Sequence, residues 1–262
     1  MKQYDESDID RLPGRRIGPT DRFRFKCHAG LSCFNQCCRN LNLFLYPYDV
    51  LTLKNTVGIA SGDFLDRYVD VVLRKENYFP EVLLRMADNS EKTCPFLTDA
   101  GCSVYTGRPD TCRSFPVEQG LVIQSHGNAL QRVHFFRPPD FCLGASEETT
   151  WTVADWDADQ EAERHHEMTA RWAAIKHRFQ QNPWGSEGPS GSRAKMTFMA
   201  TYNIDAFRTF VLNSSFLKRY KVKPALIRKI RQDDAALLKL GFSWVQLFLW
   251  GKKSNHIFQI KR

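Results

Sequence analysis

Eight cysteines are the residues of this 262-residue chain whose type and spacing can do chemistry. They form two groups, Cys27-x5-Cys33-x3-Cys37-Cys38 and Cys94-x7-Cys102-x9-Cys112, and Cys142 follows after 29 more residues. A disulfide scaffold suits a small secreted domain. Here the N-terminal MKQYDESDID is acidic and has no apolar run, so the expectation is a cytoplasmic chain whose thiols stay reduced. Thiolates are soft donors that select zinc, copper(I) or iron–sulfur clusters over magnesium or calcium. Eight can satisfy two tetrahedral four-thiolate zinc sites, or one iron–sulfur cluster with extra ligands or a second centre. Cys37 and Cys38 are adjacent and their side chains project differently. They are therefore expected to face two centres or two corners of one cluster.

Several familiar templates are missing. There is no C-x2-C pair for a zinc ribbon or a thioredoxin-type redox site, and no C-x2-C-x2-C run for a bacterial ferredoxin. No G-x-G-x-x-G, G-x4-G-K-[ST] or G-x-S-x-G string occurs, and His166-Glu167 has Ala170 where a zincin needs its second histidine. Two histidines could replace a thiol at zinc, His28 beside Cys27 and His134 near the end of a strand, but with eight sulfurs neither is expected to ligate. His165, His166 and His177 are expected on the solvated face of an acidic helix.

The strings CHAGLSCFNQCCRN, TCPFLTDAGCSVYTGRPDTCRSFP and PPDFC resemble the YkgJ-type cysteine-cluster family of proposed zinc- or iron-chelating domains, over roughly residues 23–145. The family's usual first group is C-x2-C-x2-C-C, whereas the gaps here are five and three. The resemblance implies metal binding by Cys33, Cys37, Cys38, Cys94, Cys102 and Cys112, with Cys27 and Cys142 completing the set. A similar cysteine domain in flagellin lysine methylases suggests an iron–sulfur cluster. The resemblance implies no settled activity.

These ligands need loops to present them and packed elements to hold the loops. Pro95, Pro109 and Pro116 fix backbone angles beside the second group, and Gly101 lets the chain turn into Cys102. Arg39, Arg108 and Arg113 either offset thiolate charge or form ordinary ion pairs, and Phe96, Tyr105 and Phe115 are expected in the core. Residues 1–22 read as an arm punctuated by proline and glycine. Pro47 and Asp49 start one helix, and Ser61 caps a second that runs to about Arg74. Leu121–Gln124 and Gln131–Phe136 form a hairpin around His126-Gly127-Asn128. Asp155–Gln181 is a polar helix and residues 183–193, PWGSEGPSGSR, a linker or exposed loop. Ile204–Leu212, Lys223–Arg231 and Asp233–Trp250 are the final helices, with Trp244 and Trp250 in the core. The expected fold is α+β: a loop-rich cysteine-cluster domain (23–145) with two helices and a short hairpin, an acidic helix (146–182), a linker (183–195) and a basic helical region (196–262).

Charge is unevenly spread. Residues 181–262 hold 15 Lys and Arg against 4 Asp and Glu, whereas residues 1–142 are nearly balanced, 18 against 17. The basic tail either solvates helical surface or meets an acidic protein partner; nucleic acid is the weaker expectation, because Trp244 and Trp250 sit among apolar neighbours. No run approaches the ~20 apolar residues of a membrane span. The leading functional reading is a metal-binding protein with a thiolate-ligated iron–sulfur or zinc centre. The alternatives are a cluster-dependent methyl-transfer or redox enzyme acting on protein, and a nucleic-acid or partner-binding module built on the tail.

Overall fold

The runs Val117–Ile123 and Leu130–Phe136 are rich in β-branched and aromatic residues, and the two pair antiparallel from Val117 opposite Phe136 to Ile123 opposite Leu130. The computed structural model describes residues 2–74, 78–123, 130–253 and 258–260. The turn expected at His126-Gly127-Asn128 lies outside these. The strands are longer than expected and form the centre of a four-stranded sheet. Lys2–Asp5 lies parallel to one edge and Arg15–Ile17 antiparallel to the other. The N-terminal residues read as an arm are therefore strands of this sheet. Pro13 and Gly14 lie in the bend that follows the 3-10 segment Glu6–Arg11 and leads into Arg15–Ile17. Tyr4 lies over Gly120, where an added Cβ would come within 2.4 Å of its ring.

The chain divides into two units by its contacts: Met1–Leu43 with Met86–Ala174, and Phe44–Arg85 with Ile175–Arg262. All eight cysteines lie in the first. Its core joins Ile17, Phe23, Phe25, Val117, Val153 and Trp156, with Phe25 and Trp156 edge to face at 5.4 Å. The Trp156 indole N–H donates to the Ser114 carbonyl at 3.0 Å, tying the core to the Cys112 segment. The polar helix expected over Asp155–Gln181 is broken into Val153–Asp159, capped by Thr152, and Glu163–Arg178. Glu161 has φ 51°, which an α-helix does not allow.

In the second unit Pro47–Val57 is helical as expected, whereas the next helix, Ser61–Tyr68, gives way to the strand Val69–Val72. Val69, Val71 and Val72 prefer the pleated surface, and they pair with Glu81–Leu84. These two helices, expected around the cysteines, belong to this unit instead. Ser61 is not the cap; its hydroxyl donates to Asn203 at 2.8 Å. The stretch read as a linker carries a 3-10 segment, Gly185–Ser190, beside Trp184, which is 1% exposed and stacked on Phe79. A helix not expected, Ser192–Thr201, follows. Ile204–Asn213, Pro224–Lys229 and Asp234–Trp250 match the expected helices, and Asp233 caps the last through the Ala236 amide. Trp244 is buried and Trp250 stacks on Phe179. The mixture of helices and small sheets is α+β. Gly241 is where Asp234–Trp250 meets the backbone of Ala200, with an added Cβ 2.2 Å from that carbonyl oxygen. Gly241→Ala should therefore lower the melting temperature of this unit, by a few degrees for ~1–3 kcal/mol of overpacking.

Candidate metal centre

Between Lys26 and Asn40 the chain advances by tight turns, with Leu31, Phe34, Gln36 and Cys38 amides each donating three residues back at 2.9–3.1 Å. Asn35 at φ 65° starts the 3-10 turn Gln36–Cys38, and asparagine tolerates that left-handed backbone. The two cysteine groups are joined by backbone: the Asn40 amide donates to Lys92, and the Cys94 amide donates to Cys38 at 2.8 Å. Beyond Cys94 a minimal hairpin pairs Leu97–Thr98 with Gly101–Cys102. Gly101 has φ 114°, so the turn into Cys102 needs glycine, as the sequence suggests. Cys112 sits exposed on the short helix Asp110–Ser114. The Cys142 loop reaches back to the first group: the Leu143 amide donates to Cys33 Sγ at 3.3 Å, and Lys26 donates to the Gly144 carbonyl at 3.0 Å.

No cysteine is cross-linked. Seven sulfurs share one electrostatic neighbourhood, with Cys37 as its hub. The Cys27 thiol is pushed to about 11 by burial first, then by Cys37, Cys142 and Cys33. The Cys37 thiol is pushed far up, first by its hydrogen bond with Cys38, then by burial. The neighbouring side chains of Cys37 and Cys38 thus hydrogen-bond each other. Burial raises Cys94, Cys102 and Cys142 as well, and each is also raised by Cys37. Backbone amides oppose this: Phe96 and Leu97 donate to Cys94, Val104 to Cys102, and Gly144 and Ala145 to Cys142. Amides aimed at sulfur stabilise the thiolate and orient it for a metal.

Among the described residues, no three His, Cys, Asp or Glu side chains stand close enough to hold a metal ion as they are. The donors fit a thiophilic metal by type, by their free state and by the amides that face them; closure to coordination distance has to accompany binding. The Gly144 turn sets the approach. A Cβ there would lie 2.8 Å from the Lys26 carbonyl oxygen and 3.1 Å from the Phe25 ring. Gly144→Ala should separate the Cys27 and Cys142 segments and lower both melting temperature and metal bound per chain; unchanged metal content would show that these segments need no such contact.

The flanking residues divide in role. Arg108 pulls the Cys102 thiol down and donates to Tyr105 O and Gln160 Oε1, both at 2.6 Å. Buried Arg113 donates to the Thr106 and Gln160 carbonyls, so both arginines clamp the break between the two helices. Arg39 is an ordinary ion pair with Glu91 at 3.1 Å. Phe96 is buried and Phe115 packs on Phe25, but Tyr105 is 59% exposed, with the Arg108 guanidinium 3.8 Å above its ring. His28 faces Glu147 and accepts from the Gly30 amide.

His166 overturns the expectation of a solvated histidine, since it is 0% exposed; His165 is buried too. Its Nε2 lies 3.2 Å from Asp110 Oδ1 and its Nδ1 3.3 Å from Asp157 Oδ2, with Ser114 Oγ 3.1 Å from Nε2. The Gln119 side-chain nitrogen also faces the ring, while its Oε1 has no partner among the described residues. Turning that amide over would let Oε1 accept from the imidazole. Burial alone would lower the His166 pKa, but the hydrogen bonds and charges of Asp110 and Asp157 raise it to about 9. The trio Ser114, His166 and Asp157 has the order of a hydrolytic triad, yet Asp110 holds the imidazole as a cation and substrate has no access. It is an ion-pair brace behind the Cys112 helix. No local signal in the sequence joins residues 110, 157 and 166. His134 lies beside this brace, where Asp157 and His166 act on it, and burial lowers its pKa.

The brace sets a pH dependence. A folded pKa of about 9 above an unfolded value of ~6.5 means that His166 stabilises fully below ~6.5 and loses this as pH rises through 9. Asp110 is lowered, chiefly by its bond to His166 against the burial that raises it, so its contribution is lost only as acid protonates it. The raised thiols also weaken the metal-free fold at alkaline pH. The difference between wild type and His166→Gln isolates the histidine: between pH 7 and 9.5 the wild type should lose about one proton's worth more stability in urea titrations.

No curated protein and no solved structure matches the chain significantly. Residues 26–143, which hold all eight cysteines, match the CxxCxxCC family model, described as "Putative zinc- or iron-chelating domain".

Proposed function

We propose that residues 26–143 bind a metal centre through thiolates, an iron–sulfur cluster in preference to zinc, with Cys27, Cys33, Cys37, Cys38, Cys94, Cys102, Cys112 and Cys142 as the ligand set. One observation carries the reading: seven uncrosslinked sulfurs from three stretches of chain act on one another around Cys37, and backbone amides are directed at them. A single zinc takes four ligands, so a coupled set this large favours a multinuclear or paired centre. Bound there, the metal would supply structural cross-linking and, as a cluster, electron storage. The chain's own contribution is a set of amide donors and the Arg108 charge, which stabilise thiolate at Cys94, Cys102 and Cys142.

Anaerobic purification with metal and acid-labile sulfide analysis tests this. A brown protein with stoichiometric iron and sulfide is expected. Colourless protein with stoichiometric zinc would replace the cluster by zinc, and protein that takes up neither metal would overturn the proposal.

A further inference from the structure

In the second unit, the residues from Phe216 to Arg231 form a short helix, the strand Tyr220–Val222 and the helix Pro224–Lys229. Lys218, Arg219, Lys221, Lys223, Arg228 and Arg231 are all exposed on this stretch, and none has a carboxylate within ion-pair distance among the described residues. The acids of the tail are engaged elsewhere. Asp205 and Asp234 neutralise Arg208 and the buried Lys54, at 3.3 and 3.0 Å from the lysine. Asp233 caps the last helix and meets Lys229, and Glu187 accepts from the Arg193 amide. The fold thus commits the counter-charges to partners of their own and leaves these cations on the surface.

We infer that this surface binds the phosphate backbone of a nucleic-acid duplex. Lys221 and Lys223 occupy alternate positions of the extended run that begins at Tyr220, ~6.7 Å apart at ~3.3–3.4 Å per residue, a spacing comparable with successive phosphates on one strand, and Arg219 closes the short helix immediately before it. The described part of the stretch presents no exposed large apolar or aromatic side chain; those of this unit, Val71, Leu73 and Tyr78, lie on other elements. Insertion into a membrane needs such side chains, and unpaired bases need aromatic platforms to stack on, so both are disfavoured. Backbone contact by point charges, without base readout, is what remains. This surface owes nothing to the metal centre, and metal analysis of the same preparation separates the two readings.

The test uses the full chain with a fluorescent random-sequence DNA duplex and a duplex RNA, followed by anisotropy between 50 and 200 mM salt, conditions over which ~6–10 phosphate contacts change affinity ~10³–10⁵-fold. Binding should weaken steeply with salt. In R219E/K221E/K223E it should fall at least about tenfold at low salt, and the log–log salt slope should shrink by about three. Circular dichroism checks that the variant remains folded. Absence of duplex binding at low salt, or a variant with unchanged slope, would overturn the inference. So would stronger retention on polyglutamate, which would make the partner an acidic protein, or on anionic phospholipid vesicles.

Discussion

Stripping the metal is expected to disorder residues 26–43 and 92–103 while leaving the braced helix Asp110–Ser114 and the hairpin of Val117–Ile123 and Leu130–Phe136 folded. The cysteine loops are held by turns and single backbone bonds, such as Cys94 to Cys38. A structural thiolate site contributes on the order of 10 kcal/mol to the folding of such a segment. The sheet has its own apolar support, with Ile9, Val122, Val133 and Phe135 in one cluster and Phe23, Phe25 and Trp156 in another. Hydrogen exchange after chelation should therefore show protection lost over the loops and kept in the hairpin. Uniform retention of protection would mean that the loops fold without metal and that the cysteines contribute little to stability.

His166→Ala is the most damaging single substitution expected in the first unit. It would remove the imidazole that Asp110 and Asp157 share, and Asp110 is 5% exposed. Breaking one side of a buried pair costs ~3–5 kcal/mol, because the remaining charge stays desolvated. Asp110→Asn should cost less, since His166 keeps Asp157. Because Asp110 opens the helix that carries Cys112, both variants should also hold less metal. Urea denaturation and metal content measure this; a loss below ~1 kcal/mol in His166→Ala would show that the histidine is not charged in the fold.

The cysteine chemistry was legible because thiol type and spacing survive any folding: Cys94, Cys102 and Cys112 with their prolines and Gly101 announce a presented loop. Helices with caps and long apolar faces, such as Asp234–Trp250 with Asp233, were legible for the same local reason. Ser61–Tyr68 is shorter than its periodicity suggests, since the pattern continues into valines that a partner strand captures. Pro13, Gly14 and the PWGSEGPSGSR stretch look like punctuation in the sequence, because turn residues do not disclose that Ile17 or Trp184 near them is buried.

What the sequence determined by itself is a set of soft donors and the loops that offer them, since ligand softness and backbone permissiveness belong to single residues. Tertiary structure alone decided which thiols feel Cys37, that Arg108 and Arg113 clamp a helix break, and that His166 is a buried cation between Asp110 and Asp157. Electrostatic and desolvation energies depend on distance and burial in space, and neither quantity is a function of separation along the chain.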